Sequence, residues 1–249
     1  MKFIGIIPSR YDSTRLPGKP LLDIGGKSMI QRVYEQVSLS KSLDKVIVAT
    51  DNEEIRDVIL KIGGEAVITG VHNNGTERCN EIIEKMDEHF DAVINIQGDE
   101  PFIQPEQIDL LCTCFHSAGT NLATLVRKIV SNDDLDDTSV IKVIRNKNGD
   151  AIYFSRTALP FMRDKERSGW LREHDYFKHI QMYGYRSETL KEVANLEPTF
   201  LERAESLEQL RWLEHGYIIK TAITEHDSLS VDTPEDLKKA ELISEGMKM

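Results

Sequence analysis

Short β-branched runs alternate with amphipathic stretches through the first two-thirds of this chain, and that alternation restricts the possible folds more than any other feature. Residues 3–7 (Phe-Ile-Gly-Ile-Ile), 45–50 (Lys-Val-Ile-Val-Ala-Thr) and 91–96 (Asp-Ala-Val-Ile-Asn-Ile) are brief, apolar and bounded by polar turn residues, the pattern of strands covered on both faces. Between them, 28–40, 52–62 and 76–89 carry helical spacing. In the first of these Met29, Ile30, Val33, Tyr34 and Val37 line one face, and Ser28 is placed to cap it. Strands joined through helices run parallel, so the prediction is an α/β fold: a mainly parallel, Rossmann-like sheet flanked by helices.

After residue 119 the pattern changes to consecutive strands, 121–130, 139–145 and 151–155, with Gly149-Asp150 as the last turn. The highly charged run 163–175 reads as a mobile loop leading into strand 177–186. Helices 187–195 and 201–215, strand 217–223 and a helix from Pro234 complete the chain. The last helix has Thr233 as N-cap, Pro at its first position and Asp236 at its third. At 249 residues, 40% hydrophobic and 29% charged, the composition suits a single soluble domain over 1–249.

Charge and cysteine content exclude several function classes. With 31 basic against 42 acidic residues the formal charge is -11, which argues against nonspecific nucleic-acid binding. No apolar run approaches the ~18 residues of a membrane span. The apolar start, residues 1–7, is too short for a signal peptide, so a cytoplasmic chain is expected. Cys79, Cys112 and Cys114 make no disulfide framework. Cys112 and Cys114, two apart on a helix, point to different faces and read as structural thiols.

Against this acidic background, the stretch from Arg10 to Lys19 holds three cations, Arg10, Arg15 and Lys19, and one anion, Asp12. It follows the first strand, at the carboxyl edge where open α/β sheets bind ligands. Hydroxyls and backbone N–H groups there can cradle phosphate oxygens while Arg and Lys neutralise their charge, as a polyphosphate site requires. Gln97-Gly98-Asp99-Glu100-Pro101 follows the 91–96 strand, and a carboxylate beside a glycine that admits a ligand suits a nucleotide-bound Mg²⁺. The alternative is a tight turn with a capping Asp. Asp232 lies just outside the cap of the last helix, so helix N–H groups need not consume it. Gly75-Thr76-Glu77-Arg78 opens a helix, with Thr76 as the expected cap, and a helix N-terminus beside Arg attracts carboxylate or phosphate. The bland reading of Arg78 is a surface ion pair with Glu81. His179 on a strand is more simply a satisfied structural residue. Glu202, Glu205 and Gln209 form a stripe that a solvated helix face also explains.

Pro8-Ser9-Arg10-Tyr11-Asp12-Ser13-Thr14-Arg15-Leu16-Pro17-Gly18-Lys19-Pro20-Leu21 resembles the nucleotide-binding signature of the bacterial 3-deoxy-manno-octulosonate (Kdo) cytidylyltransferases. Further segments are similar along nearly the whole chain: Gln-Gly-Asp-Glu-Pro at 97–101, Gly-Thr-Glu-Arg at 75–78, Leu-Glu-Gln-Leu-Arg at 207–211 and Val-Asp-Thr-Pro-Glu-Asp at 231–236. The strand 179–185 resembles the family's His-x-Gly-x-Tyr-x-Tyr but carries Gln181 in place of the glycine, which puts the shape of the sugar pocket in question. The resemblance implies a nucleotidyltransferase sheet with a smaller sugar-binding and dimer-forming portion near 151–215. It further implies CTP contacts from Ser9, Arg10, Ser13, Arg15, Lys19, Gly75 and Thr76. Sugar-acid contacts are implied for Arg78, Gln97, Arg156, His179, Tyr185, Glu202 and Gln209, and Mg²⁺ ligation for Asp99 and Asp232. The implied reaction joins CTP and Kdo to CMP-Kdo and pyrophosphate, with Lys19, Asp99 and Asp232 as catalytic groups, in a homodimer serving lipopolysaccharide synthesis. Activation of a related acid such as 8-amino-Kdo, or a nucleotide-sugar glycosyltransferase on a similar sheet, are the alternatives.

Overall fold

The structure is a computed structural model that describes residues 1–12 and 16–246. Its first part runs β1 (Phe3–Ser9), α1 (Met29–Val37), β2 (Lys45–Thr50), α2 (Glu53–Lys61), β3 (Ala66–Ile68), α3 (Gly75–Lys85), β4 (Ala92–Asn95) and α4 (Pro105–Thr113). Then come β5 (Leu122–Lys128), α5 (Asn132–Asp136), β6 (Lys142–Arg145), β7 (Ala151–Ser155), α6 (Trp170–Glu173) and β8 (Phe177–Arg186). The chain closes with α7 (Ser187–Ala194), α8 (Phe200–Glu205), α9 (Gln209–Glu214), β9 (Ile219–Ile223) and α10 (Pro234–Gly246).

One sheet takes the order β3-β2-β1-β4-β8-β5-β9, with β6 pairing to β7 and to the start of β8. β1, β2, β3 and β4 are parallel, as the strand–helix alternation requires, and β5 and β9 are parallel to each other. β8 runs antiparallel between β4 and β5 and joins the two parallel sets. Both faces are covered. In β1, Ile4 and Ile6 face Cys79, Ile82, Leu190 and Trp212, while Phe3 and Ile7 face Ile30, Val33, Ile108 and Phe115. Two-sided burial is why these strands read as unbroken apolar runs.

β8 crosses the centre of the sheet at Gly184, where an added Cβ would lie 2.5 Å and 2.9 Å from two ring carbons of the buried Phe115. Gly184→Ala is therefore expected to lower unfolding stability by about 1–3 kcal/mol through overpacking. Urea denaturation of the two purified proteins measures this, and coincident midpoints would mean that Phe115 yields without cost.

Several expectations need correction. Segment 201–215 is two helices, because Ser206 adopts a left-handed conformation (φ 53) between α8 and α9. Glu202 accepts two hydrogen bonds from the Arg211 guanidinium at 2.8 Å and 2.6 Å, which holds the two helices together. The stripe Glu202, Glu205, Gln209 thus does not exist as one helical face. Residues 163–175 are not loop throughout: α6 buries Trp170 with Ile129, Leu135 and Tyr176. The dense charge of that run concealed its apolar pair, Trp170 and Leu171. Gln181 is exposed, on a bulge where the β5–β8 register jumps from Thr124↔Tyr183 to Leu125↔Ile180.

Candidate functional site

β1 and β4 end side by side, with Ile6 opposite Asn95, and their following loops form the floor of a cavity of about 280 Å³. Ser9, Arg10, Lys19, Gly75, Arg78, Gln97, Asp99 and Asp232 all line it. Close approach of the two loops depends on Gly98, whose Cβ would sit 2.8 Å from the Pro8 carbonyl oxygen. Gly98 is thus required by chain against chain, and it also lines the cavity, as the expected ligand approach needs.

Asp99 and Asp232 converge although 133 positions separate them (232 − 99). The Val231 N–H donates to the Asp99 carbonyl at 2.9 Å, and the Val231 side chain is fully buried with Leu16, Ile24, Met29 and Ala240. Just beyond, Thr233 and Asp236 cap α10 reciprocally, since Thr233 N–H donates to Asp236 Oδ2 (3.1 Å) and Asp236 N–H to Thr233 Oγ1 (3.2 Å). Asp232 is thereby fixed outside the cap, at the cavity. Lys19 approaches from a single 3₁₀ turn, Lys19–Leu21, entered through Gly18 in the left-handed region (φ 64). Its Nζ lies 2.6 Å from Asp99 Oδ2 and 3.0 Å from Asp232 Oδ1.

Two carboxylates brought to one cation fit Mg²⁺, which takes one or two protein carboxylates and fills its remaining positions with water and phosphate oxygens. Among the described residues no group of three or more His, Cys, Asp or Glu is arranged to hold a metal, so phosphate would have to complete such a site. Beside Asp99 stands the buried Glu100, whose carboxyl is pushed up to about 8 by burial, with Asp99 and Asp227 adding repulsion.

At the start of α3 the cap is Asn74, whose Oδ1 accepts from Glu77 N–H at 2.8 Å. Thr76, the expected cap, is instead buried in the first turn, donating to Glu208 Oε2 at 3.1 Å and lying 3.4 Å from the Tyr185 hydroxyl. Arg78 is buried and pairs with Asp51 at 2.8 Å, and it also donates to Thr69. Asp51 in turn accepts from the Tyr11 N–H at 3.3 Å, which ties Arg78 to the loop after β1. Glu81, the surface partner the spacing offered, takes Lys85 and His72 instead.

The other candidate residues lie off the cavity wall. Tyr185 is buried, its ring edge-on to Trp212 at 5.6 Å. His179 Nε2 is 2.8 Å from Thr124 Oγ1, its ring contacts Phe154 and Tyr183, and burial pushes its pKa down to about 3. Arg156 donates to the backbone carbonyls of Glu205 (2.6 Å) and Thr138 (3.1 Å). Gln209 is buried at the first position of α9, and Glu202 is engaged by Arg211. Ser13 and Arg15 lie outside the described residues.

Glu208 was not among the predicted residues. Burial pushes its carboxyl up to about 7, against the hydrogen bond from Thr76 and the charge of Arg211. One helix over 201–215 would turn Glu208 away from Glu202 and Gln209, and only the break at Ser206 presents it to α3. Ser9 Oγ, on the cavity wall, is buried without a hydrogen-bond partner among the described residues, which suits a polar ligand there.

Comparison with known proteins gives the chain's family and fold. A sequence profile of the family described as cytidylyltransferase matches residues 4–225. A relative from Parabacteroides distasonis, named 3-deoxy-manno-octulosonate cytidylyltransferase, is 53% identical over 96% of this chain and 97% of its own. One of the same name from Fusobacterium nucleatum is 46% identical over 96% of this chain and 95% of its own. A solved structure of CMP:2-keto-3-deoxy-manno-octonic acid synthetase complexed with CTP superposes with a TM-score of 0.91 at 37% identity, covering 100% of both chains. A putative glucose-1-phosphate thymidylyltransferase from Bacillus anthracis, 16% identical with a TM-score of 0.63 over 97% of this chain and 95% of its own, shares the fold alone. Similarity of this extent, carried through both sequence and backbone, shows that the chain belongs to the 3-deoxy-manno-octulosonate cytidylyltransferase family.

Proposed function

We propose that this protein transfers CMP from CTP to the anomeric hydroxyl of Kdo, releasing pyrophosphate. The observation that carries the reading is the meeting of Lys19, Asp99 and Asp232 in the cavity that Arg10, Ser9 and Gly75 also line. The sugar hydroxyl oxygen attacks the α-phosphorus, the bond to the β-phosphate oxygen breaks, and the hydroxyl proton passes to solvent. No covalent intermediate is needed, so catalysis consists of positioning and charge neutralisation.

Arg10, Lys19 and Arg15 neutralise the triphosphate, with Ser9, Ser13, Gly75 and Thr76 around the nucleotide. Asp99 and Asp232 would hold Mg²⁺, which when bound screens the phosphate charge and acidifies the attacking hydroxyl. Arg78, buried but lining the cavity, suits the sugar carboxylate, and Gln97 suits a hydroxyl. Arg156, His179, Tyr185, Glu202 and Gln209 remain candidates for the sugar acid, acting from behind the cavity wall. The wider setting proposed is a cytoplasmic homodimer that activates Kdo for lipopolysaccharide synthesis, with 151–215 contributing to the dimer contact. No helix among the described residues is long and apolar enough to cross a membrane.

The decisive experiment measures pyrophosphate release over a matrix of four nucleoside triphosphates and several sugar acids, 8-amino-Kdo included. Release confined to CTP with Kdo is the expected result. Preference for the amino sugar would shift the substrate, and release of nucleoside diphosphate from a nucleotide sugar would replace the reaction with glycosyl transfer.

A further inference from the structure

β1, β2 and β3 end in register, and one carboxylate stands where their loops meet. Ser9 of β1 pairs with Thr50 of β2, and Thr50 with Ile68 of β3, so Asp51 leaves the middle strand between the loop after β1 and the residues leading to α3. Its backbone is fixed on both sides. The Thr69 N–H donates to the Thr50 carbonyl at 2.8 Å, and Asn52 caps α2 by accepting from the Glu54 and Ile55 N–H groups at 2.8 Å and 3.1 Å. Capping by Asn52 leaves the Asp51 carboxylate to other partners. Its Oδ1 accepts from the Tyr11 N–H at 3.3 Å and its Oδ2 from Arg78 Nη2 at 2.8 Å. Asp51 itself is not among the described residues that line the cavity, whereas Arg10, Lys19 and Arg78 are.

We propose that Asp51 is a positioning residue shared by the two substrates: one oxygen sets the loop that meets the nucleotide, the other sets the guanidinium that meets the sugar acid. The inference rests on the cytidylyltransferase reading of the cavity and adds to it a group that touches neither substrate. The peptide unit held by Oδ1 joins Arg10 to Tyr11, so it governs the direction in which the Arg10 side chain leaves the backbone. The Tyr11 ring then reaches across the loop to Gly18, where an added Cβ would lie 3.5 Å from its hydroxyl oxygen, immediately before Lys19. Arg10 and Lys19 are thus braced from one point.

Arg78 needs a partner for a different reason. Its side chain is 4% exposed, and a buried guanidinium without a counter-charge is costly. Asp51 and Thr69 take two of its five N–H donors, which keeps the cation in the wall before a sugar acid arrives and fixes the plane it presents. A carboxylate suits this double duty because both of its oxygens only accept. An amide at position 51 would offer one oxygen to two donors and turn its NH₂ group against the other. The charged donor takes that oxygen, since its bond is the stronger, and the loop loses its hold.

The test measures CTP affinity by equilibrium dialysis with Mg²⁺ and no sugar acid, and the Michaelis constant for Kdo by pyrophosphate release at saturating CTP. Asp51→Asn is expected to weaken CTP at least about threefold while the Kdo constant moves less than about twofold, since one neutral hydrogen bond is lost and the charged one kept. Thr69→Val removes the other anchor of Arg78 and leaves the loop alone. It should do the reverse, raising the Kdo constant at least about threefold at unchanged CTP affinity. Asp51→Ala should weaken both. That variant strips a buried cation of its counter-charge, and should it fold poorly, Asp51→Asn and Thr69→Val carry the test. CTP affinity in Asp51→Asn equal to the parent's, or a Kdo constant unmoved in Thr69→Val, overturns the proposal. So does a fall in turnover with both constants unchanged, which is what a smaller folded fraction produces. Failure of the unaltered protein to bind CTP overturns the cytidylyltransferase reading and the inference with it, whereas equal binding by parent and variants overturns the inference alone.

Discussion

Asp99→Asn is expected to lower turnover at saturating CTP by roughly 10²–10³-fold, the scale of losing one preorganised electrostatic group, and Asp232→Asn should do likewise. Each change keeps the side-chain shape and removes one negative charge from a pair that meets on a single cation. Because both serve one ion in the proposed mechanism, the second loss finds little left to remove. The double variant should therefore fall far short of the product of the single effects. Thermal unfolding is the folding control. Asp99 is held through its backbone to Val231, and that bond survives the substitution, so unfolding temperatures should stay close to the parent. Strict additivity of the two effects, or full activity in EDTA, would count against a shared metal.

Stability should fall as pH rises from about 4.5 to about 8, a window set by two buried acids. Glu100 is raised to about 8 chiefly by burial, and Glu208 to about 7 for the same principal reason. An unfolded chain releases these protons near the ordinary glutamate value of 4.5, so between 4.5 and 7–8 the native state binds more protons than the unfolded one. Unfolding free energy then decreases with pH across that interval, and the contribution is fully present below it. The opposite sign applies to Glu35, Glu81, Asp109, Glu202 and Asp236, whose values are lowered in the fold. Their stabilisation is present above the ordinary carboxylate range and disappears in acid. His179, whose value burial lowers from 6.5 to about 3, also costs stability as pH falls through that range, so it offsets part of the decline between 4.5 and 6.5. Glu100→Gln mimics the protonated side chain, so its unfolding temperature should drop less between pH 5 and pH 8 than the parent's. Each kcal/mol recovered at the upper pH appears as about 2–4 °C in a chain of this size. Melting curves at half-unit intervals measure this, and parallel profiles for parent and variant would show that Glu100 titrates normally.

The parallel half of the sheet was legible because two-sided burial leaves a plain mark in sequence. Ile4, Ile6, Ile47, Val93 and Ile94 lie in continuous apolar runs, and the turns between them carry polar caps such as Ser28 and Asn52. β3, three residues long, is too brief to leave such a mark, and α5 looks like any acidic loop. The charged loops at Lys19, Asp99 and Asp232 could be singled out from local charge and from likeness to a family, but their meeting depends on the burial of Val231 beside Leu16, which no local pattern encodes. Glu208 was missed for a related reason. The left-handed Ser206 breaks a stretch whose side-chain spacing still suits one continuous helix, and the cause of the break, Arg211 reaching back to Glu202, is a contact between side chains nine positions apart (211 − 202). Gly98 was noticed for room beside a ligand, and its close approach to the Pro8 carbonyl, a contact between distant loops, left no mark in the sequence.

The insertion of β8 between β4 and β5 has a consequence for how the polypeptide emerges from the ribosome. β5 borders only β8 and β9, and both are made after it. When residues 122–128 leave the exit tunnel, β1 to β4 can already form a four-stranded platform, but β5 has no edge to join. About fifty residues more must be translated before residues 177–186 supply one, and that newly made strand has to dock on β4 and recruit the waiting β5 on its other side. Leu122, Leu125 and Val126, all completely buried in the finished protein, lack their β8 and β9 neighbours during that interval. The segment carrying Asp232 comes later still, so the cavity gains its second carboxylate only after β8 and β9 have been made.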